Sequence, residues 1–263
     1  MSTLHTYSFP DTKSIVVCGD IHGEFNAMIH KLCIQYQMTD TLLIVAGDCG
    51  FGFEKPAHYE QLFNRNSARL TKANNRVLMV RGNHDNPAYF NMERIGHERF
   101  RTIPDYSVIQ ACGHNILCVG GAISIDRYWR KEHDEHNQRS EKVTYWPDEA
   151  PVYDAALLDE IGRQFRIYTV ITHTAPSFCE LMTKCGLSEW TEKDPGIPAD
   201  CMAERKTMDM IFEHLKRDNH PLSRWYYGHF HQSWSSEIDG VLFSMLDIME
   251  FKEIPGHLQT SVA

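Results

Sequence analysis

The chain has 263 residues, 42% hydrophobic and 23% charged, which excludes a disordered polymer and supplies ample apolar material for a core. A formal charge of -9 sets a repulsive background for polyanions, so broad nucleic-acid binding is disfavoured and only a small nucleotide substrate of that kind is kept. No apolar run approaches the roughly 18 residues of a membrane helix, so no membrane partner is expected.

Eight cysteines, Cys18, Cys33, Cys49, Cys112, Cys118, Cys179, Cys185 and Cys201, are scattered without CxxC spacing, and there is no signal-type apolar segment at the N-terminus. Reduced, mostly buried thiols and a cytoplasmic location are the expectation. One domain over 1–263 is expected, with no internal repeat and a tail, Thr260 to Ala263, expected to be disordered.

The run 14–18 is short, apolar and β-branched, reads as a buried strand, and ends in GDIHGE. Phe25, Met28, Ile29, Leu32, Cys33 and Tyr36 then fall at helical spacing over 24–37. A second strand, 41–46, runs into Gly47-Asp48 and is followed by a helix at about 56–73; a third, 76–80, runs into RGNHDN. Three strands thus deliver polar residues at their carboxyl ends, where open α/β sheets place their sites.

Beyond residue 98, the runs 102–110 and 115–119 predict a hairpin and the start of a second sheet. Residues 124–150 lack apolar periodicity and predict a long surface excursion. A helix at about 151–164 and a strand at 166–171 lead to His173; an irregular stretch over 177–198 precedes a helix at 199–217. On that helix Met202, Met208, Ile211, Phe212 and Leu215 share one side and read as core. The run 224–227 enters GHFH, and Asp239-Gly240 between two strands predicts a type I′ hairpin.

The polar residues at the strand exits are Asp20 and His22, Asp48, Asn83 and His84, His173, and His229 and His231. Members of the pairs 20/22 and 229/231 lie two apart, so in an extended exit both point to one side, toward one ion or divided between two. Imidazoles, carboxylates and one amide oxygen suit manganese, iron, zinc or magnesium, and no thiolate demands zinc. Taken singly, an Asp after a strand is commonly a cap and a lone His a satisfied packing residue; the ordered set is what points to metal.

In order, these blocks read DxH, GD, GNHD, H and GHxH over residues 20–231, and in this the chain resembles the calcineurin-like metallophosphoesterase superfamily. The resemblance implies an α/β fold of two mixed β-sheets packed as a sandwich with helices on the outer faces. It implies two divalent ions, manganese favoured, with Asp20, His22 and His231 on one, Asn83, His173 and His229 on the other, and Asp48 bridging. The implied activity is hydrolysis of a phosphate mono- or diester by in-line attack of a metal-bridging hydroxide.

His84 is expected near the leaving oxygen as acid or positive stabiliser, with Asp85 orienting its imidazole. Arg81, Arg127 and Arg130 are candidates for phosphate contacts, although the last two sit among acidic residues where an ion-pair network is the blander reading. Trp129, Tyr145 and Trp146 are either a stacking surface or local packing. The run Gly47 to Phe53 departs from the GDxVDRG block of protein serine/threonine phosphatases, which makes that activity the runner-up; a non-catalytic scaffold is a third reading, opposed by the complete ligand set.

Overall fold

The structure, a computed structural model, describes residues 3–91, 96–136, 143–179 and 187–256. Strand β1 (Thr6–Phe9) is followed by β2 (Ser14–Cys18), helix α1 (Phe25–His30) with a π-helical turn at 31–35, β3 (Thr41–Val45), α2 (Pro56–Ala73) and β4 (Arg76–Met79). Next come α3 (Ala88–Asn91), β5 (Gly96–His97), β6 (Phe100–Thr102), β7 (Ser107–Ala111), β8 (His114–Val119), α4 (Arg127–His136), α5 (Ala155–Gln164) and β9 (Thr169–Thr172). Helices α6 (Leu187–Lys193) and α7 (Ile197–Arg217) precede β10 (Arg224–Tyr227), β11 (Trp234–Ile238), β12 (Val241–Met245) and β13 (Phe251–Ile254).

Two mixed sheets result. One runs β13-β2-β3-β4-β6-β5, the other β1-β7-β8-β9-β10-β12-β11. Side-chain alternation along buried strands sorts residues between layers. In β2, Ile15 and Val17 face the second sheet, while Val16 and Cys18 face α1 and α2. In β3, Leu42 and Ile44 join Ile109, Ile116, Ile171 and Tyr226 between the sheets, whereas Leu43 and Val45 pack outward on Phe25, Met28 and Phe63. The other sheet buries Val170, Trp225, Tyr227 and Phe243 against Leu158 and Ile161 of α5 and Ile211 and Leu215 of α7. Two helical layers therefore enclose two sheets, the sandwich that the resemblance implies.

Local chemistry accounts for several boundaries. Helix α2 has Pro56 in its first turn, where its missing N–H costs nothing, and ends on Asn74 in the left-handed conformation at φ 53°. Asp239 and Gly240, at φ 51° and 75°, form the expected turn between β11 and β12. The hairpin begins later than expected, at Ser107, because Thr102 belongs to β6, which pairs in parallel with β4. Strands β1 and β13, too short and mixed to read as sheet, each gain order from pairing, β1 with β7 and β13 with β2.

Two expectations are corrected. The excursion at 124–150 contains α4, a ten-residue helix. Its sequence lacks apolar periodicity because the inward side is made by the stems of Arg127 and Arg130, both buried. Helix α6 lies in the stretch expected to be irregular, and α7 begins at Ile197; Met202, assigned to the core with its helical neighbours, is 69% exposed because it lies about 120° round the helix from Met208, off the side that Ile197, Met208, Ile211 and Leu215 bury.

The thiols of Cys18, Cys33, Cys49, Cys112, Cys118, Cys179 and Cys201 are unpaired, the first, third, fifth and sixth fully buried; Cys185 and the tail 260–263 lie outside the described residues. No helix among the described residues is long and apolar enough to cross a membrane. Ile44 is fully buried between the sheets, and Ile44→Ala is expected to cost about 2–5 kcal/mol of stability, read as a lower urea midpoint at unchanged slope.

Candidate metal centre

The seven expected ligands converge where β2, β3, β4, β9 and β10 end. Reaching the centre demands unusual backbone: His22, Asp48, His229 and His231 all have positive φ, at 43°, 47°, 70° and 51°. Such angles are uncommon for residues with a β-carbon and cluster at sites where side chains must be aimed. Neighbouring glycines make the room. A β-carbon on Gly47 would overlap the His173 imidazole, and one on Gly228 would overlap the Asp20 carboxylate.

Two groups of donor atoms share Asp48. In the first, ligand atoms of Asp20, His22, Asp48 and His231 lie within 4.8 Å of one another. His231 Nε2 is 3.0 Å from Asp20 Oδ2 and 3.1 Å from His22 Nε2, and His22 Nδ1 is 3.9 Å from Asp48 Oδ2. In the second, His173 Nε2 is 2.9 Å from Asn83 Oδ1 and 3.1 Å from Asp48 Oδ1, with the His229 ring centred 5.0 Å from that of His173. The two oxygens of Asp48 thus face different groups.

The arrangement fits divalent ions on its own chemistry. His173 Nδ1 lies 2.7 Å from the Ala46 carbonyl, a contact that needs the ring hydrogen on Nδ1. That leaves Nε2 as a bare lone pair in the neutral ring, pointing at two oxygens that are themselves acceptors. A positive charge, either a proton on Nε2 or a metal ion in its place, must therefore sit between them. Burial opposes a proton on His173, but the Asp48 and Asp20 carboxylates override it and lift its pKa to about 10. The same field attracts a metal ion. His229, deeply buried beside His173, is held well below the usual imidazole range and stays neutral, the form that ligates metal.

The remaining expected site residues separate. His84 donates its backbone N–H to Asp48 Oδ1 at 2.8 Å and presents its ring to the cavity described below, edge-on to His22 at 5.6 Å. Burial holds that imidazole below its ordinary pKa against the pull of Asp48. Asp85 does not reach it. Its carboxylate accepts the amides of Cys49, Gly50, Phe51 and Gly82 at 2.8–3.0 Å, so it fixes the GD loop rather than orienting His84.

The arginines are also committed elsewhere. Arg81 Nη1 donates to the Glu149 carbonyl at 2.7 Å and Nη2 to Asp105 at 2.9 Å. Arg127 pairs with Asp194 at 2.6 Å and Asp200 at 2.7 Å, tying α4 to the start of α7. Arg130 donates to the Ser124 hydroxyl at 2.6 Å and lies over the rings of Phe53, Tyr145 and Trp146. Trp146 is buried against Phe53, whereas Trp129 is 52% exposed and meets Tyr128 edge-on. A guanidinium with a flexible stem serves phosphate and backbone equally well, so sequence alone could not place these three.

Three polar residues escaped the sequence reading. Ser124 Oγ receives the Asn83 amide at 3.0 Å while bonding to buried Glu149, which leaves Asn83 Oδ1 turned to the metal group. Glu204, on α7, accepts the Ile123 amide and, at 3.2 Å, the Thr174 hydroxyl. A serine after a strand and glutamates in helical or loop segments carry no motif; only three-dimensional contact singles them out.

A cavity of about 860 Å³ opens from Asp48, Asn83, His84, His229 and His231. Ile125 before α4, Leu187 and Trp190 of α6, Met202 of α7 and Phe230 also line it.

Two mixed sheets with Asp, Asn and His donor atoms gathered at their strand ends define an α/β protein with a candidate metal centre. The sequence profile of the calcineurin-like phosphoesterase family matches residues 13–233, and the chain belongs to that family. Membership implies metal-dependent hydrolysis of a phosphoester. No curated protein sequence matches the chain.

Among solved structures, the chain is similar to a putative 5'-nucleotidase from Staphylococcus aureus, at 14% identity and a TM-score of 0.42, over 91% of this chain and 50% of that one, so it spans half the length of that protein. It is also similar to a phosphopantetheinyl hydrolase from Mycobacterium tuberculosis, at 15% identity and a TM-score of 0.42, over 95% of this chain and 98% of that one.

Ser124→Ala removes the partner that holds Asn83 and is expected to weaken Mn²⁺ binding about 10–100-fold in equilibrium dialysis, with the fold intact by circular dichroism. Glu204 gives a pH signature. Burial raises its pKa to about 8, above the roughly 4.3 of an unfolded chain. Stability from this group is therefore complete below about pH 4.3 and is lost as pH rises through about 8. Relative to Glu204→Gln, the wild type should lose on the order of 1 kcal/mol or more between pH 5 and pH 8, measured by urea unfolding at each pH.

Proposed function

We propose that the chain hydrolyses a phosphate mono- or diester with two divalent ions held by these seven residues. The observation that carries the reading is the convergence of two groups of donor atoms on Asp48: His173 Nε2 lies 2.9 Å from Asn83 Oδ1 and 3.1 Å from Asp48 Oδ1, while Asp20, His22 and His231 gather with Asp48 on the other side. Asp20, His22 and His231 would hold one ion, Asn83, His173 and His229 the other, with Asp48 shared. Oxygen and nitrogen donors without a thiolate suit manganese, iron, zinc or magnesium, and manganese is favoured. When bound, the ions supply an acidified water as nucleophile and neutralise charge on the phosphoryl group.

The chain's own residues do the rest. The Asp85 carboxylate locks the loop that carries Asp48, and Ser124 presents the correct face of the Asn83 amide. His84 has no hydrogen bond from its ring to another described residue; it sits on the cavity wall, free to bond the leaving oxygen as acid or stabiliser. Arg81, through which RGNHD resembles protein phosphatases, is spent on backbone carbonyls and Asp105, which favours a small phosphoester over a phosphoprotein.

With Mn²⁺ present, bis(p-nitrophenyl) phosphate or p-nitrophenyl phosphate should be hydrolysed, and chelation should abolish turnover. His84→Ala should lower kcat by about 10²–10⁴ at unchanged metal content. Wild-type turnover in that variant would remove His84 from the chemistry, and inertness of the metal-loaded wild type toward all phosphoesters would remove the function.

A further inference from the structure

Phe230 lies between two residues of the metal cluster, and its position there is fixed from both sides. Its ring is 4.8 Å from that of His229 and 6.0 Å from that of Tyr227, with the Arg205 guanidinium 5.5 Å from its centroid. An apolar face is thus fixed beside the place where phosphorus would sit. Trp190 and Met202 line the same cavity, and Met202 is 69% exposed. A volume near 860 Å³ falls within the range of small-molecule sites, far above the needs of a phosphoryl group alone.

The charged residues of the wall offer a second anion no accessible partner. Arg205 is buried; its Nε and Nη2 are given to the carbonyls of Pro176 and Cys179, and its Nη1, without a hydrogen-bond partner, is shut off from solvent. Glu204, bonded to Ile123 and Thr174, is kept protonated near neutral pH by burial. Asp126 at the rim bears a negative charge, partly met by Arg130 at 3.8 Å. A leaving group carrying its own phosphate or carboxylate would find repulsion and no free cation here.

Given the phosphoesterase reading above, we propose that this cavity seats the alcohol half of the ester and selects a large, uncharged, apolar leaving group packed on Phe230, Trp190 and Met202. Aromatic and aliphatic alcohols share this chemistry. Selectivity then arises from burial of apolar surface that a small alcohol does not have.

The test uses the metal-loaded full chain and a series of methyl, hexyl, benzyl and 2-naphthylmethyl phosphates with their methyl diesters. These alcohols are all weakly acidic, so kcat/KM follows seating rather than leaving-group reactivity. The ratio of kcat/KM for the 2-naphthylmethyl or hexyl ester over the methyl ester is expected to exceed about tenfold, and to fall by about tenfold in Trp190→Ala and in Met202→Ser. The two large esters tell aromatic from aliphatic preference. Met202 is solvent-exposed, so its replacement leaves folding untouched.

A flat series, or ratios unmoved in both variants, overturns the proposal while leaving the hydrolase reading in place. If no ester is cleaved, that reading fails separately. Calorimetric binding of 2-naphthylmethylphosphonate, weaker in Met202→Ser than in wild type, then still supports the cavity's preference; equal binding rejects it.

Discussion

Carboxylate, amide and imidazole groups crowded together in the interior are the constraint on which this molecule turns. Asp48, Asn83 and His173 bring oxygen and nitrogen donor atoms to about 3 Å of one another in fully buried surroundings, with the Asp20 carboxylate 4.0 Å from His173. Isolated from cations, such a cluster would be costly to bury. The sandwich meets that cost with rigidity: five strand ends are held in register by two sheets, and each sheet is clamped by a helical layer. The glycines at 47 and 228 exist to let imidazole and carboxylate press against main chain.

Around that cluster runs a set of buried polar links with no part in ligation. Asp85 holds four amides of the loops bearing Asp48 and Asn83; Ser124 joins Asn83 to Glu149 and Arg130. Arg81 reaches from the β4 exit to the carbonyls of 148 and 149, so the same region is tied from both ends. Removing one member leaves another buried group unsatisfied, which is why such links are coupled rather than additive.

Much of this was legible from residues alone, and unevenly so. Strands β2, β3 and β4 announce themselves by continuous apolar β-branched runs, and α2 by its Pro and Asn boundaries, because burial on both faces or regular capping leaves a strong local signal. The ligand blocks were readable since each sits directly at a strand exit. Helix α4 was hidden by arginines whose stems do the work of apolar side chains, and β13 by a partner more than 200 residues away in sequence. Asp85 looked catalytic from its place beside His84; only the direction of its carboxylate reveals a loop clasp. Met202 was grouped with core residues by its apolar character, but at about 100° per residue it falls outside the stripe that Met208, Ile211 and Leu215 define.

His22 and His231 meet across a separation of 209 positions, and Asp20 receives the amide of His229 over the same span. Residues up to 231 must therefore be present before the group of Asp20, His22, Asp48 and His231 can close. Until β10 docks beside β9, Asp20 and Asp48 have only His22 and His84 of the early segment near them. Loop-closure entropy on that scale makes assembly of the centre a late folding event. The donors of the early strands and those at the β10 exit therefore become one cluster only through strand pairing across the chain, and no local segment can build it alone.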